Sequence, residues 1–142
     1  MGRTMPQPAQ PSFMTASLLV AAGGAIGAWL RFCVGRAWTA WLNPVRAAAF
    51  PWATLTVNVI GSLAMGLLIG SLARFDQQAE ATRLFVALGV RGGVTTFSSF
   101  SLEIVLLIQR AQPGLAALYV AVSLGAGVLG LWLGLLLMRP SL

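Results

Sequence analysis

A run of hydroxyl-bearing residues lies between two apolar segments near the middle of the chain. It starts at the pair Gly92-Gly93, continues through Thr95 and Thr96, and ends at Ser101, with the sequence GGVTTFSSFS. Glycine is a poor helix former and threonine hydroxyls compete for backbone hydrogen bonds, so the run favours a break in a helix. Within a membrane, a break persists only where the freed backbone is buried in protein or faces water or ions. The run therefore indicates a functional site rather than a simple anchor.

The two ends of such a break would have opposite electrostatic character. A helix that ends near Gly92 presents free carbonyl groups, and one that begins near Phe97 presents free amide groups. Carbonyl oxygens from two antiparallel copies would suit a small hard cation, which favours Na⁺ over a transition metal.

The second half of the run has the composition of an anion pathway. Phe97 and Phe100 are three residues apart, with Ser99 between them. Hydroxyl groups and the weakly positive edges of phenyl rings can replace part of the hydration shell of an anion without trapping it. The alternative is that both rings face lipid or a protein core. Polar residues elsewhere in the chain that could face this half are Thr54, Asn58, Tyr119 and Ser123.

The composition is that of an integral membrane protein. The chain has 142 residues, of which 58% are hydrophobic and 8% are charged, too apolar for a soluble domain of this size. The nine basic residues are all arginines spread along the chain, which argues against nucleic-acid binding. One cysteine, no histidine and three acidic residues exclude an internal disulfide, a zinc site and a His-based triad. We therefore do not expect an enzyme.

The apolar segments predict one all-α transmembrane domain over residues 1–142, with four spans and a break in the third. A disordered tail precedes the first span, and a linker with interfacial tryptophans follows it. Small residues four apart in spans one, two and four predict close helix packing. Asn58, in span two, has an alternative role as a structural hydrogen-bonding group between helices. The predicted limits are 1–12 for the tail, 36–51 for the linker, and about 13–35, 53–73, 83–109 and 115–138 for the spans.

The distribution of arginines predicts insertion in both orientations. With four spans, the termini and the middle loop share one side of the membrane, which carries four arginines, against three or four on the other side. Arginine bias sets orientation, so near equality predicts an antiparallel, dual-topology homodimer. The two sets are Arg3, Arg74, Arg83 and Arg139 against Arg36, Arg46 and Arg110, with Arg31 at the edge of a span.

Two arginines lie close to apolar spans. Arg31, near the end of span one, could extend to the lipid headgroups or line a vestibule that attracts anions. Arg91 directly precedes the glycine pair. Because an unpaired arginine is costly within the bilayer, we expect Arg91 at an aqueous vestibule, with a cluster of carbonyl groups as the alternative.

Three motifs resemble those of the Fluc (CrcB) family of fluoride ion channels, in the order of that family. Residues Gly24–Arg31 resemble its GxxGAxxR motif, Thr54–Gly61 its TLxVNxxG motif, and Gly92–Ser101 its GGxTTFSTFS signature. The similarity covers about residues 18–138. Two departures stand out: Arg91 occupies a position where an apolar residue is expected, and Gly127 one where some relatives carry a serine, which suggests a shorter polar track.

The resemblance implies a dual-topology dimer in the bacterial inner (plasma) membrane that exports fluoride passively through two antiparallel pores. It also implies a structural Na⁺ at the dimer centre, held by the backbone carbonyls of Gly92 and Thr95. The partners are then the fluoride ion, the lipid bilayer and a second copy of the chain. The residues expected at the fluoride pore are Phe97, Phe100, Asn58, Ser99, Tyr119, Ser123, Thr54 and Glu103, with Arg31 and Arg91 at the vestibule.

The main alternative is a small dual-topology, proton-coupled multidrug exporter. Such a protein needs a carboxylate deep in its first span, and span one has none. A scaffold subunit without transport would account for the packing motifs but not for the hydroxyl-rich break.

Overall fold

The described part of the chain is entirely helical apart from short connections. The computed structural model describes residues 11–72, 84, 89, 92 and 97–138. The helices within these ranges are α1 Phe13–Leu42, α2 Pro44–Ala49, α3 Trp52–Leu72, α4 Phe97–Gln109 and α5 Pro113–Leu137. Helices α1, α3 and α5 are long and apolar enough to cross a membrane, whereas α4 is a shorter apolar helix. Most of the residues in which the break of span three is predicted lie outside the described residues.

Helix α1 begins at the same residue as the predicted first span but ends later. Ser12, assigned to the disordered tail, caps the helix, because its side-chain oxygen accepts from the Thr15 amide at 3.2 Å. At the other end α1 continues past Gly35 to Leu42, since residues 36–42 contain neither glycine nor proline to stop it. Asn43, with φ of 67°, ends the helix.

The predicted linker 36–51 is therefore mostly helical. Asn43 starts the short helix α2, with its side-chain oxygen accepting from the Arg46 amide at 3.1 Å and Pro44 at the first helical position. The far end of α2 is fixed from α4, because Arg110 Nη1 donates to the Ala48 carbonyl at 2.7 Å. The connection between α1 and α3 is thus attached to the end of α4.

The turn between α4 and α5 lies between the predicted third and fourth spans, 83–109 and 115–138. Residues 110–112 make the turn, with Ala111 at φ 58° and the Gln112 amide donating to the Leu107 carbonyl at 3.0 Å. Pro113 begins α5, because the first residue of a helix needs no amide hydrogen.

Trp38 docks α1 onto α3. Its indole nitrogen donates to Thr56 Oγ1 at 3.0 Å, and its ring stacks on Trp52 with centroids 5.3 Å apart. Trp41 extends the cluster but stays 76% exposed. The tryptophans predicted to mark the membrane interface therefore also join the first two long helices.

Helices α3 and α5 run parallel, and their backbones meet along most of their length. A Cβ added at Gly134 would lie 2.5 Å from the Leu63 carbonyl oxygen and 2.7 Å from the Leu67 nitrogen. One turn earlier, a Cβ at Gly130 would lie 3.3 Å from the Val59 carbonyl oxygen. The close packing predicted from small residues in spans two and four is confirmed here. A similar approach joins Gly89 to Gly23 of α1.

We expect Gly134→Ala to destabilise the fold by about 1–3 kcal/mol, because the added methyl group has no space between two backbones. Gly125→Ala on the same helix is the matched control, since a Cβ there meets nothing within 4 Å. Unfolding of the detergent-solubilised protein by increasing SDS measures the difference. Equal stability of the two variants would contradict the close α3–α5 contact.

Candidate functional site

A carboxylate joins three helices at one end of the site. Glu103 of α4 accepts a hydrogen bond from Thr54 Oγ1 of α3 at 2.6 Å and another from the Tyr119 hydroxyl of α5 at 2.7 Å. Thr54 is 6% exposed and Tyr119 is fully buried. Hydroxyl groups bound to a carboxylate at these distances form strong charge-assisted hydrogen bonds. The three residues, called here the Glu103 cluster, therefore fix α3, α4 and α5 relative to one another.

The Tyr119 ring is held between two phenylalanines. Phe100 of α4 lies 5.1 Å from it, centroid to centroid, and Phe50 approaches edge-on at 5.7 Å and 84°. Phe50 follows α2 in extended backbone conformation, in the segment that Arg110 fixes through Ala48. Phe50 is not predicted from the sequence, because nothing in a linear pattern shows which helix the connection will contact. Through this contact the connection helps to fix the orientation of the Tyr119 hydroxyl.

An open groove of about 400 Å³ lies beside the Glu103 cluster, between α3, α4 and α5. Its polar side chains are Asn58, Ser62 and Ser123, and both Phe97 and Phe100 line it. Its remaining lining residues are Gly61, Leu124, Gly127, Val128 and Leu131. Four of the residues predicted for the pore from the sequence, Asn58, Phe97, Phe100 and Ser123, therefore share this groove.

The polar side chains of the groove have no protein hydrogen-bond partners within the described ranges. The Ser123 hydroxyl is buried and unpartnered there, and neither Asn58 nor Ser62 makes a side-chain hydrogen bond to another described residue. Buried polar groups are normally paired, so unpaired ones mark a place where water or a ligand binds. Within those ranges Asn58 makes no hydrogen bond to another helix.

The two phenylalanines of α4 differ in their surroundings. Phe100 packs on Tyr119, whereas Phe97, the first residue of α4, is 82% exposed. Their centroids are 6.3 Å apart. Phe97 therefore presents most of its ring outside this chain, at the N-terminal end of α4.

Arg31 contacts the first turn of α4. Its Nη2 donates to Ser99 Oγ at 2.6 Å, in a partly buried environment. This contact directs the side chain towards the first turn of α4.

The remaining predicted residues lie at the break. Gly92 is exposed, with no atom within 4 Å of the position of an added Cβ, while Thr95 and Arg91 lie outside the described residues. Within the described ranges, no group of three or more His, Cys, Asp or Glu residues could hold a metal ion.

We expect Tyr119→Phe and Glu103→Gln each to lower the free energy of unfolding by about 1.5–3 kcal/mol, because each disrupts a hydrogen bond to a charged group. The double variant should lose less than the sum, since both changes remove the same bond. A double-mutant cycle from SDS unfolding curves measures this coupling. Strict additivity would mean that the bond contributes nothing to stability.

Comparison with known proteins gives matches over most of the chain. The family model described as CrcB-like protein, Camphor Resistance (CrcB) matches residues 18–135. The Fluoride-specific ion channel FluC of Novosphingobium aromaticivorans is 57% identical over 126 residues, covering 89% of this chain and 98% of that protein. The Fluoride-specific ion channel FluC of Sphingopyxis alaskensis is 52% identical over 120 residues, covering 84% of this chain and 92% of the relative.

A third relative, the Fluoride-specific ion channel FluC of Rhodospirillum centenum, is 50% identical over 124 residues, covering 87% of this chain and 95% of the relative. Identity at this level extends over helices α1 to α5 and not only over the three short motifs. The chain therefore belongs to the CrcB family.

Proposed function

We propose that this multi-pass membrane protein is a fluoride channel that exports F⁻ passively across the bacterial inner membrane and relieves fluoride toxicity. The observation that carries the proposal is the groove, where Asn58, Ser62 and Ser123 lie unpartnered, within the described ranges, beside two phenylalanine rings. The names of the CrcB relatives support the choice of fluoride as the ion. A channel of this kind performs no covalent chemistry and is not an enzyme.

The groove can exchange hydrogen bonds with a passing ion. The amide of Asn58 and the hydroxyl of Ser123 are donors without a net charge, and each can replace a water molecule around F⁻. Because neither carries a full positive charge, the ion is stabilised without being held. Phe97 and Phe100 add the positive edges of their rings. The lining therefore lowers the cost of dehydration for a small anion that accepts strong hydrogen bonds.

The Glu103 cluster has a different role from the groove. Tyr119 is one helical turn from Ser123 on α5, a rise of about 6 Å. Both carboxylate oxygens of Glu103 accept hydroxyl donors, which stabilise the negative charge of this side chain. In the proposed channel Thr54, Glu103 and Tyr119 form the polar end of the pathway and hold its three helices in place.

The proposed assembly has four spans per chain, a break in the third, and two chains in antiparallel orientation. The balanced arginine count supports dual topology. The open groove and the exposed ring of Phe97 support a second copy, because in a closed pore both would need a further wall. Arg31 and Arg91 belong to the aqueous vestibule, where positive charge raises the local concentration of anions. Arg31 would act there through its contact with Ser99.

We include a structural Na⁺ at the centre of this dimer. The carbonyls of Gly92 and Thr95 from both copies would hold it, and the ion would supply positive charge to the carbonyl ends of the broken helices. The exposed position of Gly92 supports this assignment, because its backbone is open to a second chain.

The proton-coupled exporter is not favoured. Helix α1 contains no acidic residue, and Glu103, the acidic residue of α4, is occupied by two hydroxyl donors. Cation exchange against protons requires a carboxylate that is free to bind either one.

We expect liposomes that contain the purified protein to release fluoride rapidly and chloride slowly, as followed with ion-selective electrodes. Asn58→Asp should slow fluoride release by at least about 100-fold, because a negative charge in the groove repels the ion by several kcal/mol. The matched control is Gln109→Glu, the same chemical change at the exposed end of α4. Absence of fluoride release from well-folded wild-type protein would contradict the channel, and equal slowing by the control would remove Asn58 from the pathway.

We expect the purified protein to be a dimer that contains both orientations and requires Na⁺. In sealed vesicles, an externally added protease should remove a C-terminal tag from about half of the molecules. Exchange of Na⁺ for N-methylglucamine should shift the protein mass measured in detergent from that of the dimer towards that of the monomer. A single orientation would contradict the antiparallel pair, whereas a dimer indifferent to Na⁺ would contradict the cation site alone.

A further inference from the structure

The parallel helices α3 and α5 pair their residues in successive levels, each four residues further along both chains. Thr54 and Tyr119 meet at the first level, through Glu103. Asn58 and Ser123 line the groove at the second level. The next residues in this register are Ser62 on α3 and Gly127 on α5, which line the same groove.

At the third level only α3 supplies a hydroxyl, that of Ser62, because the facing residue of α5 is Gly127. A Cβ added at Gly127 would lie 3.5 Å from Ser62 Oγ, so the serine side chain directly faces the space that the glycine leaves open. Within the described ranges the Ser62 hydroxyl has no hydrogen-bond partner. Further along α5 the groove is lined by Val128 and Leu131, which offer no donors.

Ser62 differs from the small residues that follow it on α3. A Cβ added at Gly66 would clash with the Leu131 carbonyl oxygen, and one added at Gly70 would clash with Met138 Cβ, so these positions must stay small for packing. At position 62 the serine side chain is accommodated, because the facing residue of α5, Gly127, has no side chain. The spacing of Ser62, Gly66 and Gly70 by itself predicts a packing stripe on α3, whereas the surroundings of Ser62 point to a ligand-binding hydroxyl.

We propose that Ser62 is a fluoride-binding residue that supplies the third donor level of the pathway, in the place where α5 carries no side chain. This inference rests on the proposed channel function. The ion would pass from the Asn58–Ser123 level to the Ser62 hydroxyl, about 6 Å further along the helices, before it reaches the apolar end of the groove. Ser62 thereby compensates for the glycine at position 127, and the polar track keeps its third level.

The test moves the hydroxyl from one helix to the other. Ser62→Ala should slow fluoride release from liposomes by about tenfold, the effect of one hydrogen bond to an ion. The double variant Ser62→Ala, Gly127→Ser should restore release to within about twofold of wild type, because the new serine places its hydroxyl in the same space from the opposite side. The matched control is Ser71→Ala on the same helix, where the hydroxyl donates to the Leu68 carbonyl at 2.8 Å; it should conduct like wild type. SDS unfolding of each variant checks that the fold is retained.

The outcomes separate the inference from the proposed function. Wild-type flux together with an unchanged Ser62→Ala variant would overturn the role of Ser62 alone. Slow release that persists in the stably folded double variant would also overturn it, because the hydroxyl supplied from α5 would then fail to replace that of Ser62. A wild-type protein that releases no fluoride would overturn the channel and the Ser62 assignment together.

Discussion

The close parallel contact between α3 and α5 is the constraint on which the rest of the structure depends. Where Gly134 meets the backbone of Leu63 and Leu67, neither helix can rotate or slide without a clash. The contact therefore sets the register of the two helices along their whole length. In that register Thr54 and Tyr119 meet around Glu103, and Asn58 and Ser123 line one groove. Residues that serve only packing thus align the polar residues of the cluster and the groove.

Some polar groups of the site have hydrogen-bond partners, whereas others have none within the described ranges. Glu103 has a hydroxyl donor for each carboxylate oxygen, which offsets the cost of placing a charge among apolar helices. Ser123, one turn away, is as buried as Thr54 but has no partner within the described ranges. An unpaired hydroxyl in such a place is unfavourable unless a ligand or water binds it. The contrast between neighbouring polar groups is more informative about transport than the polarity of the region as a whole.

The connection between α1 and α3 adds support from outside the helix bundle. Arg110 anchors the end of α2, and Phe50 then reaches Tyr119, while Trp38 holds α1 against α3. Aromatic rings continue from this connection to Tyr119, Phe100 and Phe97, so packing links the end of the bundle to the groove. Rigid aromatic contacts of this kind hold a hydroxyl in position better than a single helix can.

The sequence by itself determined the class of protein, the family and the residue types of the site. Apolar spans and scarce charges are local properties, and the three motifs were enough to predict membership in the CrcB family, which the comparisons confirmed. The predicted close packing was also confirmed at Gly130 and Gly134 of α5, because small residues at spacing four have few other roles in a membrane helix. Helix α1 continues beyond the predicted end of the first span and the linker is mostly helical, since caps and propensities compete at helix ends.

Only the tertiary structure decided which polar residues face one another and which of them are already paired. Hydropathy and spacing place Asn58, Ser62 and Gly66 on one stripe of α3, yet only the register against α5 separates the groove-lining residues from the packing glycine. The same holds for Phe50, whose contact with Tyr119 depends on the path of a connection that carries no periodic signal. Periodicity fixes a face of each helix, whereas the relative shift and rotation of two helices arise from the fit of their side chains, which is a property of the pair.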